Sequence, residues 1–165
     1  MPAASPKNSP EVYVLSIHDE EPDRPVLAVD LRHILAALHP LAGDWRFWVG
    51  GLDATGTGAE RLRAQIAAAS GQGAWLGPDE LQACADAINQ TIDGVILAFP
   101  KGTTPEALSA EDVEVSSFPS SRAVCAIIAI DSSYFEVYAK DRAVAERVRS
   151  AFRQVVEHSP LDYFE

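Results

Sequence analysis

The sequence predicts an α+β fold, one domain in which helices pack on a mixed or antiparallel sheet of about five strands. Three observations predict it. Five short segments are rich in β-branched and aromatic residues, which suit a pleated, half-buried surface. Four others space their apolar residues at intervals of three and four, the period of a helix with one buried face. Their order, β-α-β-α-α-β-loop-β-β-α, lacks the strict alternation that builds a parallel sheet.

Residues 1–10, MPAASPKNSP, hold three prolines among small polar residues and read as a disordered lead-in to a domain over 11–165. EVYVLSI (11–17) is the first strand and HDEEPDRP (18–25) a charged loop. Asp30 is placed to cap a helix whose stripe is Leu31, Ile34, Leu35 and Leu38, ending before Pro40. WRFWVGGL (45–52) is the second strand, with Trp45, Phe47 and Val49 on one face and Arg46 and Trp48 on the other.

Thr57 and Glu60 have the spacing of a capping box, opening a helix to about Ala69 with Leu62, Ile66 and Ala69 on its apolar side. SGQG (70–73) breaks it. Pro78 suits the first position of a third helix, whose buried stripe is Leu81, Cys84, Ala85 and Ile88. IDGVILAF (92–99) is the next strand, followed by a long irregular excursion over 100–121 with one short helical turn at Thr104-Pro105. AVCAIIAI (123–130) and YFEVYA (134–139) are strands joined by a tight turn at Asp131-Ser132-Ser133, whose side chains can bond nearby backbone N–H groups. Asp141 caps a last helix over about 142–157 with Val144, Val148, Ala151, Phe152 and Val155 as its core stripe, and Arg142 and Glu146 pair at i, i+4.

Composition narrows the functions. With 24 acidic and 13 basic residues the net charge is −11, a field that repels phosphate backbones and anionic lipid, so neither nucleic acid nor membrane is an expected partner. The start lacks a signal-peptide pattern, and the longest apolar run falls far below the ~20 residues that span a bilayer. A soluble, cytoplasmic protein is expected. Cys84 and Cys125 sit within apolar patterns and read as buried, reduced thiols.

No chemical motif is complete. GLDATGTGAER (51–61) joins a strand to a helix, but Arg61 stands where a dinucleotide loop needs its third glycine, and the Gly-Lys-Ser/Thr ending of a P-loop is missing. His18, Asp19, Glu20 and Glu21 are adjacent rather than spaced to converge on a metal, and His33 and His39 are six apart rather than four. Ser132 and Ser133 have no histidine near in sequence and no nucleophile elbow. No cofactor and no metal are therefore expected. Asp53, Asp93, Asp131 and Glu136 fall at or near strand ends, and five basic residues gather within 140–153.

QTIDGVILAF (90–99), AIIAIDSSYFEVYAKD (126–141) and the amphipathic segment after them resemble small bacterial proteins with Q-x-I-D-G and D-S-S-Y-aromatic-E-V segments. Such proteins are similar to the small acidic immunity partners that neutralise bacterial toxins. The resemblance covers the chain from about Leu76 onward and supplies no catalytic residue. It implies a non-enzymatic domain that binds a basic protein partner by electrostatic steering and occlusion, with aromatic anchors. The alternative is a small-molecule-binding domain or enzyme with its site at the strand ends, and a homodimer with a structural role is a third. The candidate binding residues are Trp48, Asp93, Asp131, Tyr134, Glu136 and Tyr138, the last three sharing one strand face by period-two alternation.

Overall fold

The computed structural model describes residues 11–70 and 72–164. The expected lead-in at 1–10 lies outside them. The main sheet contains β1 (Tyr13–Ile17), β4 (Trp45–Thr55), β5 (Ala74–Leu76), β6 (Gln90–Pro100), β7 (Cys125–Ile130), β8 (Tyr134–Ala139) and β9 (Val155–His158). Their spatial order is β5-β4-β6-β7-β8-β1-β9, antiparallel at every pairing. A separate two-stranded ribbon pairs β2 (Glu20–Glu21) with β3 (Arg24–Leu27). The helices are α1 (Leu31–Ala42), α2 (Thr57–Ala68), α3 (Pro78–Asp86) and α4 (Arg142–Ala151).

The α+β class and the single domain hold, but the main sheet has seven strands rather than five. β5 is only three residues long, too short for alternation to show, and forms because Trp75 pairs with Trp48 on β4. The charged loop at 18–25 instead contributes to the small ribbon. β9 takes the place of the last turns expected of α4, which ends at Ala151. Its cause lies far away in sequence. The buried Asp19 carboxylate accepts the backbone N–H groups of Arg153 (3.0 Å) and Gln154 (2.6 Å), while His18 donates its N–H to Gln154 O at 2.8 Å. These bonds draw the chain off the helix axis and onto the free edge of β1. Ala151 is consequently exposed, and Phe152 and Val155 reach the core from outside the helix.

Other boundaries move for local reasons. Asp30 caps α1 by accepting from Leu31 N at 2.7 Å, and His33 Nδ1 receives the Asp30 N–H in return. The helix runs through Pro40, which costs one backbone bond in the last turn while Ala42 gains burial. Thr57 does not cap α2, because Gly56 holds that position and no side chain caps the helix, so the Thr57–Glu60 box does not form. Gly58 explains the glycine-rich loop without a phosphate. A Cβ there would lie 1.8 Å from Cys84 O, so the start of α2 meets the end of α3 backbone to backbone.

One face of the sheet carries the four helices over a core that includes Leu15, Ile17, Phe47, Ile127, Phe135 and Val137. Each large aliphatic side chain fully buried there contributes roughly 1.5–3 kcal/mol. Cys84 and Cys125 are buried, and burial pushes the Cys125 thiol up to about 12, the opposite of an activated nucleophile. The second face is covered by the 100–121 excursion, which forms three 3₁₀ turns (Pro105–Ala107, Ala110–Val113, Val115–Ser117), and by the chain end at Tyr163 and Phe164. Phe118 is the centre of this cover, within ring contact of Tyr138 and Phe164.

Asp112 fixes the cover in place. It accepts from Ser109 N, Ser109 Oγ and Arg122 N at 2.9, 3.2 and 2.8 Å. Burial works to raise its carboxyl, but these bonds and the Arg122 guanidinium hold it below the ordinary value.

Candidate functional site

Period-two alternation sends Val14 and Ser16 of β1 with His18 just after it, Tyr134, Glu136 and Tyr138 of β8, and Ile128 and Ile130 of β7 to the second face. The cover extends over only part of that face. Under it lie Val14, Leu97, Phe99, Ala126 and Tyr138, all buried. Beyond it Val95, Ile128, Ile130, His18 and Tyr134 are partly exposed, and Asp53, Asp93 and Asp131 are exposed.

The turn between β7 and β8 is built as its residues suggest. Ser133 N–H bonds Ile130 O at 2.8 Å, and Asp131 and Ser132 adopt φ of 46° and 56°. Aspartate tolerates that left-handed region better than most residues. The turn then docks on β6, with Asp131 N–H donating to Asp93 Oδ1 (2.8 Å) and Ser132 N–H to Ile92 O (2.9 Å). Asp93, exposed as a residue, is therefore a turn anchor. Asp53 stands directly opposite Asp93 in the β4–β6 ladder. Two carboxylates in that position repel each other, and residues 51–55, 91–97 and 126–137 contain no Lys or Arg to offset them.

At the boundary of the cover lies a polar cluster drawn from three strands and the chain end. Ser16 Oγ, 1% exposed as a residue, lies 2.7 Å from His158 Nε2 and 2.8 Å from His18 Nε2. Glu136, opposite Ser16 on β8 and 5% exposed, accepts the Tyr138 hydroxyl at 2.6 Å, and the Tyr163 ring packs against that of Tyr138 with centroids 5.9 Å apart. Burial, reinforced by the bond to Glu136, raises the Tyr138 phenol well above its ordinary value. Burial, and then the Glu136 charge, raises Tyr163 as well. His18 stacks on Tyr134 with ring centroids 4.9 Å apart. Ser16 is too enclosed for nucleophilic attack, and both histidines spend Nε2 on the same oxygen, which is not the relay of a serine triad. Among the described residues no three His, Cys, Asp or Glu side chains converge as metal ligands.

The six candidate residues thus separate. Asp93, Asp131 and Tyr134 share the uncovered part of the second face. Glu136 and Tyr138 are buried at its boundary and hold the chain end down rather than meeting solvent. Trp48 lies on β4, where its ring rests against Gly50 and Gly73 and its N–H reaches Gln72 O at 3.0 Å. With Trp75 and Leu108 it lines a separate cleft of about 690 Å³.

The sequence reading missed Ser16 and His158, which lie 142 residues apart, and took His18 as solvated charge. Alternation along β1 carries the signal for Ser16 and His18; nothing local marks His158.

The basic stretch of 140–153 is largely satisfied internally. Arg142 pairs with Glu146 at 2.9 Å, Arg149 with Glu157 at 2.7 Å, and Arg147 donates to Ala37 O at 3.0 Å. No helix among the described residues is long and apolar enough to cross a membrane. No protein-family model, curated protein or solved structure matches this chain, so the geometry alone carries the reading of the site.

Proposed function

We propose that this protein is a non-catalytic binding domain that docks a basic protein partner on the uncovered part of the sheet's second face. One observation carries the reading, the direct opposition of Asp53 and Asp93 beside Asp131, with no Lys or Arg on the strand segments around them and the nearby Arg63 guanidinium given to Ala54 O at 2.8 Å. Such an arrangement costs stability in the isolated chain and is relieved by a partner's lysine or arginine. The adjacent Val95, Ile128, Ile130 and Tyr134 supply an apolar centre within an acidic rim, the usual anatomy of an interface. Segments 90–99 and 126–141 resemble small bacterial proteins that are in turn similar to immunity partners, which supports a toxin as the partner, inhibited by occlusion of its basic surface.

The test is affinity capture from the native host with three full-length baits: the unchanged chain, Asp53→Lys/Ile130→Lys, and the helix-face control Glu60→Lys. A basic protein held by the first and third but released from the second supports the reading. Equal capture by all three, or no specific partner in any, rejects it. For a toxin partner, the purified complex also loses toxic activity.

A second reading attaches to the Trp48–Trp75 cleft, whose volume suits a small molecule and whose lining is uncharged, with Gln72 and Ser109 as its polar groups. It calls for a neutral, flat ligand, and quenching of tryptophan fluorescence in a fragment screen is the assay.

A further inference from the structure

β1 is paired unequally along its two sides. Its β8 side is matched from Tyr13 onward, its β9 side only from Val14, opposite His158. Because His18 gives its N–H to Gln154 O, the even-numbered residues of β1 turn their backbone groups toward β9. The next such residue before Val14 is Val12, and its register partner would be Pro160. Proline has no N–H to give. The Pro160 carbonyl is already taken by Tyr163 N (3.1 Å) and Phe164 N (2.9 Å), as the chain leaves the sheet in the 3₁₀ turn Pro160–Asp162. Val12 is 8% exposed, yet among the described residues its backbone N–H and C=O have no partner. Unpaired backbone groups on a strand edge are a ready template for another chain to complete.

A cleft of about 810 Å³ opens in front of Val12. Ser117 and Ser120 stand on one side and Ser159 and Leu161 on the other, with Phe164 and His158 also lining it. Leu161 is 81% exposed, the most exposed large apolar side chain described. Glu11 and Glu157 are the carboxylates of the lining; Arg149 pairs with Glu157, and Glu11 also borders the neighbouring cleft that Lys140 and Arg142 line.

We propose that this cleft binds an extended peptide segment of a partner protein as a short added strand, antiparallel to β1 and continuing the line of β9. The peptide backbone pairs with Val12, an apolar side chain rests between Leu161 and Phe164, and a lysine or arginine meets Glu11. The site is separate from the open-face reading and does not depend on it.

The experiment titrates the ¹⁵N-labelled full-length chain with a mixture of acetylated, amidated hexapeptides. Each has lysine at both ends and Val, Ile, Leu or Thr at the inner positions. Saturable shifts centred on the Val12, Ser117 and Leu161 amides are expected. The same mixture N-methylated on its inner residues does not bind, because it lacks the backbone donors. Leu161→Asp, a surface change that leaves the core intact, weakens binding by about tenfold, whereas Asp53→Lys/Ile130→Lys leaves it unchanged. No saturable shift, shifts centred elsewhere, or equal binding of the N-methylated mixture overturns the proposal.

Discussion

The Tyr138–Glu136 pair gives the sharpest test of how the second face is held together. Tyr138→Phe removes one hydroxyl and little volume, so any loss reports the bond to the carboxylate. A hydrogen bond to a charged group contributes about 1.5–3 kcal/mol, and Glu136, 5% exposed, has little access to water as a substitute. At about 2–4 °C per kcal/mol for a chain of this size, Tm falls by roughly 3–12 °C. Glu136→Leu strands the Tyr138 hydroxyl instead and costs about 1–3 kcal/mol. The double variant removes donor and acceptor together, and its loss is smaller than the sum of the singles by at least about 1 kcal/mol. Chemical denaturation of the four proteins measures all three quantities. Single losses below about 0.5 kcal/mol, or additivity within that margin, would mean the bond seen at 2.6 Å does not help to hold the second face together.

Three further outcomes follow from named contacts. Asp19→Ala strips the acceptor from two backbone N–H groups at the α4–β9 junction, so stability falls by about 2–4 kcal/mol and the amides of Arg153 and Gln154 lose protection from hydrogen exchange. The Asp112 carboxyl is held below its ordinary value of 3.8, so its contribution is present above that pH and is lost as pH falls through the folded-state value. Asp112→Asn therefore flattens the acid limb of the stability profile, measured by denaturation from pH 5 downward, and leaves neutral-pH dependence unchanged in shape. Gly73 sits at φ +90° with its missing Cβ site 2.2 Å from Trp48 Nε1. Gly73→Ala displaces the indole, and the tryptophan emission shifts to the red.

How much of this was legible depended on whether the cause was local. The α1 stripe of Leu31, Ile34, Leu35 and Leu38 is buried as its period requires, and Asp30 and Asp141 cap the helices they precede. The turn at 131–133 and the division of β8 into a Phe135/Val137 face and a Tyr134/Glu136/Tyr138 face also follow from neighbouring residues alone. The end of α4 did not, because Val144, Val148 and Val155 keep apolar spacing across the true break and the carboxylate that makes the break belongs to Asp19. The cover was equally hidden. Leu108, Val113 and Phe118 follow neither the helical nor the strand period, so nothing in 100–121 announces that it lies on the sheet. Of the site, alternation placed Tyr134 correctly and grouped Glu136 with it, but it could not register that the excursion and the chain end close over one and stop short of the other.

The boundary of that cover separates stability from recognition, and the separation can be measured. Phe118 lies under it at 1% exposure, in ring contact with Tyr138 and Phe164 and beneath the Lys140 ammonium, 5.0 Å from its ring. Phe118→Ala opens a cavity in a packed layer and costs about 3–5 kcal/mol. Ile130 lies on the same face beyond the boundary, at the end of β7, where a lysine stem can lie along the surface with its charge in water. A surface useful only for folding would penalise Ile130→Lys nearly as heavily. A surface kept open for a partner does not, because Ile130 belongs to neither packed cluster of the described residues. The expected loss for Ile130→Lys is within about 1 kcal/mol, with binding to the captured partner abolished. If the two substitutions destabilise the protein equally, the uncovered part of the sheet belongs to the core, and the acidic rim around it has to be explained by something other than a docking face.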